Sequence, residues 1–593
     1  MKFSLILSII TIIIALILYK FIFKKKNDIK INILVAFITS IISIMILIFP
    51  LLEYKNILLK ALISFIYGIK SIALSQDVSL LSKIKYETSF GFLYFIYISI
   101  LFLITPALSV GVILIYLEKI TNHIKLLLSK RKKLYVFSEI NDKALILLKD
   151  IEKKENSQII FTNVNEKNNT NIKAIKINNK TSNIKLNTNS EITFYMISEN
   201  EDQNLNETLE LIEKYKNRDK IKIYVVTNKE EASLILDSMD KGNITVEIIN
   251  ERERTIFNLL NTKPLFINSI NKKISILIVG CGNIGKEFLK DSVWCSIMPD
   301  YEFEALVIDE NADIIKEKIN IEMPELLNNY NISFLNADIK STKAINRIKE
   351  NKNINYILVS LDNDEKNIDT AITLRRLFIR EFNREPVINL YIENEFKKRQ
   401  ILSLVNEKGN KYNINAFGSI NDIYSNNNII DSELEKEAIQ IHLSYDKDDK
   451  ELKRYNLREY NKRSSRANAL HIKYKLYSIL EDKYSNDLIK DLEQFRKIYS
   501  KEIEEKLTKN EHDRWNAYTR SIGYIYASVD EVKKYYKDTN HHIHYLARMH
   551  PALVEFNELD NVSKELSKIT SKKIDLVESD RNLVRYIYES YMK

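Results

Sequence analysis

Apolar and polar positions along this chain fall into three regimes. Residues 3–23, 32–52 and 90–117 are nearly unbroken apolar runs, and each is long enough to cross a hydrocarbon core, which takes about 20 helical residues. A shorter run, 61–69, lies between the second and third and is bounded by Lys60 and Lys70. From 133 to 420 short apolar blocks alternate with stretches whose apolar residues recur at helical spacing, the mark of strands and helices in turn. Beyond 430 the blocks stop and charged helical periodicity takes over.

These regimes predict a membrane anchor followed by a large soluble body. At 593 residues the chain exceeds one hydrophobic core, since cores stop growing near roughly 250 to 300 residues. The run at 3–23 reads as a span rather than a signal peptide, because no small-x-small cleavage site follows and Lys24-Lys25-Lys26 closes it. With three spans, that triplet and Lys130 to Lys133 both face the cytosol, as the positive-inside bias asks; a fourth span would put the triplet outside. The run at 61–69 therefore reads as re-entrant, with a fourth helix as the alternative. Helix, re-entrant helix, helix is the plan from which tetrameric cation channels build a pore. The selectivity sequence TVGYG is missing, so potassium selectivity does not follow; Pro106 and Gly111 offer a hinge in the last span.

The net charge of +9 is modest, and its clusters flank apolar spans, so a lipid bilayer and not nucleic acid is the expected partner. Cys281 and Cys295 are the only cysteines, which excludes a disulfide framework and a cysteine-ligated metal. Four of the eight histidines, His541, His542, His544 and His550, crowd ten residues, but no metal-ligand spacing accompanies them and no metal is expected.

Within the soluble body one strand-turn-helix unit recurs. KKLYVFSEINDKALILLKDI, EITFYMISENEDQNLNETLELIEKY and KIKIYVVTNKEEASLIL are followed by KISILIVGCGNIGKEFL, INYILVSLDNDEKNIDTAITLRRL and VINLYIENEFKKRQIL. Such alternation forms doubly wound parallel sheets. Gly280, Gly282 and Gly285 take three of the chain's ten glycines, and they sit between a strand and a helix, the context that makes G-x-G-x-x-G a dinucleotide-binding signal. The turn Gly280 to Gly285, with Asn283 and Ile284, would let main-chain amides approach a pyrophosphate, and Asp309 falls where a carboxylate takes ribose hydroxyls. Glu287 stands where a P-loop needs Ser or Thr, which excludes that motif. In the first copy Ser138, Ile140 and Lys143 replace the three glycines, so that copy is expected to bind no dinucleotide and to serve as a packing partner. Arg458, Lys462, Arg463 and Arg466 form a basic row expected to be a solvated helix face.

On these motifs the two units resemble regulator-of-potassium-conductance (RCK) domains: Ala337-Asp338 is similar to the family's short acidic turn, and LDNDEKNIDTAITLRRL to its later strand-turn-helix. EHDRWNAYTRSIGYIYA with ARMHPALVEFNELD resembles the ryanodine-receptor-type (RyR) repeat. The resemblance implies transmembrane helices, two tandem Rossmann-like RCK domains and a small all-α RyR-like domain, over residues 1–120, 133–262, 273–425 and 505–593, with a helical linker at 426–504. It implies NAD(H) or another adenine nucleotide as a non-catalytic ligand on Gly280, Gly282, Asn283, Ile284, Gly285, Asp309 and Asp338, and a second pocket at His512, Arg514, Trp515, Tyr524 and His550. It further implies a homo-oligomer, dimer or tetramer, in a bacterial inner membrane with its sensors in the cytoplasm. The function implied is a nucleotide-gated channel, serving ion transport, potassium included, or a nucleotide-triggered antiviral effector. A non-conducting receptor or scaffold is the alternative, and an NAD-dependent membrane oxidoreductase a lesser one, since no substrate domain with a general acid or base is recognisable; no enzyme activity is expected.

Overall fold

The computed structural model describes residues 1–22, 29–73, 78–85, 87–128, 132–152, 157–164, 174–184, 186, 190–405, 408–424, 429, 432–446, 448–449 and 452–589. The lysine triplet 24–26, Lys130, Arg131 and the end of GIKSIALSQ (residues 74–76) lie outside them. The chain divides into two compact units, residues 1–132, 158–179 and 185–190 in the first, and 133–157, 180–184 and 191–593 in the second.

The first unit holds helices α1 (Lys2–Ile22), α2 (Ile29–Ile48), α3 (Ile57–Lys70) and α4 (Ser89–Leu128). Among the described residues two segments are long and apolar enough to cross a membrane, Asn32–Leu51 and Ser89–Leu114, with a shorter apolar stretch at Lys2–Ile17. Helix α2 packs against α1 and α4 around Ile44, Leu47, Ile48, Tyr94 and Ile98. The buried Tyr94 hydroxyl donates to the Leu47 carbonyl at 2.5 Å, removing the cost of a bare phenol there. Helix α3 has 14 residues, about 21 Å at 1.5 Å per residue, short of a hydrocarbon core of about 30 Å. It lies close on α2 because position 68 has no side chain, a Cβ there meeting Met45 Cγ at 2.6 Å. Helix α4 runs through Pro106, and the Thr105 and Ser109 hydroxyls bond back to Leu101 and Pro106 carbonyls.

The second unit is built on parallel sheets. Its strands and helices begin β1 (Lys133–Phe137) and α5 (Asp142–Ile151); β2 (Ser157–Phe161, from residue 158) and β3 (Ile175–Lys176) belong to the first unit's segment 158–179, and the second unit continues with β4 (Ile192–Met196), α6 (Glu201–Tyr215), β5 (Ile221–Val226), α7 (Glu230–Ser238), β6 (Thr245–Ile249) and α8 (Glu251–Thr262). The series recurs as β7 (Lys273–Val279), α9 (Asn283–Cys295), β8 (Glu302–Asp309), α10 (Ala312–Glu322), α11 (Leu326–Asn329), β9 (Ile332–Asn336), α12 (Thr342–Glu350), β10 (Tyr356–Val359), α13 (Asp364–Phe382), β11 (Val387–Tyr391), α14 (Glu395–Leu402), β12 (Ile414–Phe417) and α15 (Ile420–Tyr424). Neighbours run β1-β4-β5-β6 in the first copy, and β9-β8-β7-β10-β11-β12 in the second, all parallel; β2 pairs with β3 as β8 does with β9. Val136 pairs with Phe194 as Ile278 pairs with Leu358. Asn204 and Asn367 occupy equivalent places: each side chain takes the N–H of a strand-end residue, Ser198 or Leu361, and donates to the next strand's carbonyl, Val226 or Tyr391. The strand order reverses between β7 and β10, and ligands of doubly wound sheets bind outside the strand ends at such a point.

The rest is helical: α16 (Glu433–Tyr445), α17 (Lys453–Leu457), α18 (Glu459–Leu480), α19 (Leu488–Ile498), α20 (Lys501–Ser521), α21 (Val529–Thr539), α22 (Leu559–Thr570) and α23 (Leu576–Glu589), with the short pair β13 (Ile525–Tyr526) and β14 (Met549–His550). Leu470 and Tyr474 of α18, and Ala517 and Tyr518 of α20, share one core with Ile276, Ile278 and Trp294 of the second sheet layer. The basic row on α18 is not the solvated face expected. Lys462 Nζ reaches Glu247 at 3.0 Å and the Val246 carbonyl at 2.8 Å, Arg463 reaches Glu253 at 3.2 Å, and Arg466 reaches Glu435 at 2.8 Å and Glu459 at 3.0 Å. Lys462 and Arg466 are buried because those acids, supplied by β6, α8 and α16, neutralise them.

Candidate ligand-binding site

The site starts from the end of β7. Gly280 has φ +83°, where only glycine is comfortable, and a Cβ there would meet the Ser360 carbonyl oxygen at 2.6 Å. A Cβ on Gly285 would meet the Gly280 carbonyl oxygen at 2.1 Å, so the turn of α9 rides directly over the strand end. Gly282 differs from both: nothing lies within 4 Å of a Cβ built on it. Two glycines thus shape the turn, and the third leaves open space.

That space is a cavity of about 1240 Å³, above the roughly 300 to 1,000 Å³ of sites that take drug-sized ligands. Gly280, Gly282, Asn283, Ile284 and Asp309 line it; Gly285, buried, does not. Asp338 is not part of the lining. It sits in the turn after β9, where its carboxylate accepts the Lys340 N–H at 2.7 Å. Asp309 Oδ2 accepts the Cys281 N–H and Oδ1 accepts the Asn311 N–H, both at 2.8 Å, so this carboxylate clamps the glycine turn. A carboxylate has about four acceptor positions, which leaves lone pairs for ribose hydroxyls. Cys281 lines the cavity too, but burial, and secondarily Asp309, pushes its thiol up to about 12, so no thiolate nucleophile stands there at neutral pH.

Helix α9 begins at Gly282 with no side chain capping it. The free N–H groups of its first turn point along the helix axis, past its N-terminus, at the positive end of the helix dipole. The helices that follow β10 and β11 are closed instead by Asn363 and Asn394. In the first copy the place equivalent to the glycine turn is filled. Asn141 Oδ1 accepts the Ala144 N–H at 3.0 Å while its amide donates to the Ile197 carbonyl at 2.7 Å, and Ser138 Oγ accepts the Ile197 N–H at 2.9 Å. Lys143, at the third glycine position, is buried with Nζ 3.0 Å from Glu251.

The first copy also supplies part of the wall, which its missing glycines gave no reason to expect. Asn228, Glu251, Arg252 and Thr255 line the same cavity, beside Lys286 and Lys318 of the second copy. Lys286 is engaged by Glu322 at 2.8 Å. The signal in the sequence was the helix start at Glu251, which places Arg252 in a first turn, but its proximity to Gly282 is a tertiary fact.

A second cavity, about 240 Å³, lies among the C-terminal helices and is lined by His512, Arg514, Trp515 and His550. Tyr524 is outside its lining and packs on the Tyr460 ring, centroids 5.3 Å apart. His541 and His544 do not line it either, and His542 does. Among the described residues one group has ligand atoms close enough for a metal: His442, Asp446 and Asp449. Their charges are used internally, His442 Nε2 lying 2.9 Å from Asp449 and Asp446 gripping Arg454.

No family model matches the chain, and no curated protein matches it. Among solved structures, one entitled GsuK Channel is similar at 11% identity and a TM-score of 0.34, over 67% of this chain and 82% of that one.

Proposed function

We propose that this chain is a membrane-anchored, ligand-gated channel or channel-like effector, and that its second Rossmann-like copy senses NAD(H) or another adenine nucleotide without turning it over. The single observation that carries the reading is the uncapped start of α9 at Gly282, open to a large cavity, beside a first copy whose equivalent place is filled by Asn141, Ser138 and Lys143. The residues suit such a ligand: bare amides and a helix dipole for phosphate, Asp309 for ribose, and Arg252 and Lys318 as cations on the facing walls. Bound in the cavity, the nucleotide supplies charge and bridging contacts, not chemistry.

Gating then follows from differential affinity. A ligand shifts a two-state protein only by how much better it binds one state, about 1 to 3 kcal/mol per coupled site. In a dimeric or tetrameric assembly these contributions add. Apolar segments 32–51 and 89–114, with the short helix α3 against α2, form the membrane part in this reading. Potassium transport and nucleotide-triggered membrane defence are both compatible with that arrangement.

The test uses the purified full chain in planar bilayers, with and without NAD+ or ADP, and Gly282→Val. The expected result is a nucleotide-dependent conductance that the variant loses together with nucleotide binding, while it stays folded and inserted. Undiminished binding in Gly282→Val would falsify the site. Nucleotide binding with no conductance under any condition selects the non-conducting receptor, and consumption of NAD(H) during the assay selects the oxidoreductase.

A further inference from the structure

The wall that the first copy lends to the glycine-turn cavity carries a cation with no internal use. Arg252 stands in the first turn of α8, where its main-chain N–H is held by Asn250 Oδ1 at 3.1 Å and Asn228 Oδ1 at 3.3 Å. With Thr255, three residues on, it presents one face of that helix to the cavity. The half-buried guanidinium itself makes no hydrogen bond or ion pair among the described residues. The other cations of the lining differ: Lys143 meets Glu251 at 3.0 Å, Lys286 meets Glu322 at 2.8 Å, and Lys318 is exposed on α10.

Acids of the first copy do not take up this charge. Glu251, next to it in sequence, is held by Lys143 and by the Tyr424 hydroxyl at 2.7 Å. Glu201 Oε1 accepts the Asn228 side-chain amide at 2.9 Å, and its Oε2 accepts the Asn228 N–H at 2.9 Å and the Thr227 hydroxyl at 3.1 Å. Burial raises the Glu201 carboxyl, and those bonds, with the charge of Arg252 behind them, bring it below its ordinary value. Asn228 therefore joins Glu201 to the backbone of Arg252, and the first turn of α8 is fixed without use of its guanidinium. The amides at the uncapped start of α9 face the same cavity. Helices α8 and α9 share one core, Phe257 meeting the Trp294 ring with centroids 5.8 Å apart, so the span from these amides to Arg252 is set by packing.

We propose that Arg252 selects for a pyrophosphate: the amides of α9 hold one phosphate and Arg252 of the first copy reads the next. The ligand is then a nucleoside diphosphate, or a dinucleotide joined through one, and not a mononucleotide. Helix N-termini hold a phosphate through their free amides, and a guanidinium takes two phosphate oxygens in a forked pair. A single phosphate engages one of these partners and leaves the other unused. The inference rests on the nucleotide reading of the glycine site and narrows it. It gives the first copy, which holds no nucleotide of its own, a part in recognising the second copy's ligand.

Isothermal titration calorimetry on the purified full chain tests this with ADP, AMP and inorganic pyrophosphate, using the wild type, Arg252→Gln, Arg252→Lys and Gly282→Val. ADP should bind about tenfold or more tighter than AMP, and Arg252→Gln should close that gap by weakening ADP while AMP changes little. Arg252→Lys keeps the charge without the fork and should fall between the two. Pyrophosphate lacks the ribose that Asp309 takes and should bind less tightly than ADP; equal affinity would make the ligand the bare anion and overturn the nucleoside part. Because the guanidinium makes no internal bond, Arg252→Gln should keep the wild-type thermal midpoint, which separates lost recognition from lost folding. ADP binding that disappears in Gly282→Val, yet keeps its preference over AMP in Arg252→Gln, overturns the role of Arg252 alone. ADP binding unchanged in Gly282→Val removes the glycine site and this proposal with it.

Discussion

Three glycines within six positions do three different jobs. Gly280 holds a left-handed φ under the Ser360 carbonyl, Gly285 lets α9 cross the turn, and Gly282 alone faces open space. Gly280→Ala should therefore lower the unfolding free energy by about 1–3 kcal/mol, whereas Gly282→Ala should leave the thermal midpoint unchanged within error; calorimetry or circular dichroism on both variants reads this. The motif was legible in the sequence, because three of the chain's ten glycines fall within six positions between a strand and a helix. The division of labour was not, since it depends on Ser360, brought beside the turn by β10. Asp309 is a similar case: the strand end was readable, but its grip on the Cys281 N–H is seen only in three dimensions.

At the scale of elements, the contrast between α5 and α9 carries the asymmetry of the two copies. Both follow the first strand of a parallel sheet, yet Asn141 closes the one and Gly282 leaves the other open. Asn141→Ala is expected to cost about 0.5–2 kcal/mol, as lost caps do, and to confer no nucleotide binding on the first copy, because Lys143 still occupies the place next to Glu251. Denaturant unfolding paired with nucleotide titration checks both halves. The repeat itself was readable from alternating apolar blocks. The fate of α18 was not: its basic row has the periodicity of a solvated face, and the acids that bury it come from Glu247, Glu253 and Glu435, remote along the chain or on another helix.

For the molecule as a whole, that buried network joins α18 to the first sheet and to α16. Burial raises the Glu435 carboxyl, but Arg466 and Lys462 more than reverse this and hold it down at about 2 against an ordinary 4.5. A carboxylate with a lowered pKa in the folded state adds stability above 4.5 that is lost as pH falls from there toward 2. Acid titration followed by tyrosine and tryptophan fluorescence should show that loss, and Glu435→Gln should flatten it while lowering stability at neutral pH; an unchanged acid limb would remove the network from the account. The sequence by itself determined the apolar segments, the strand-and-helix alternation, its duplication and the one glycine turn, because each depends on residues adjacent or regularly spaced along the chain. Tertiary structure alone decided that the first copy lends Arg252 and Asn228 to the second copy's cavity, and that Asp338 and Tyr524 stand outside the two pockets. Those facts rest on distance through space between segments far apart in order, and no local period or spacing encodes such distances.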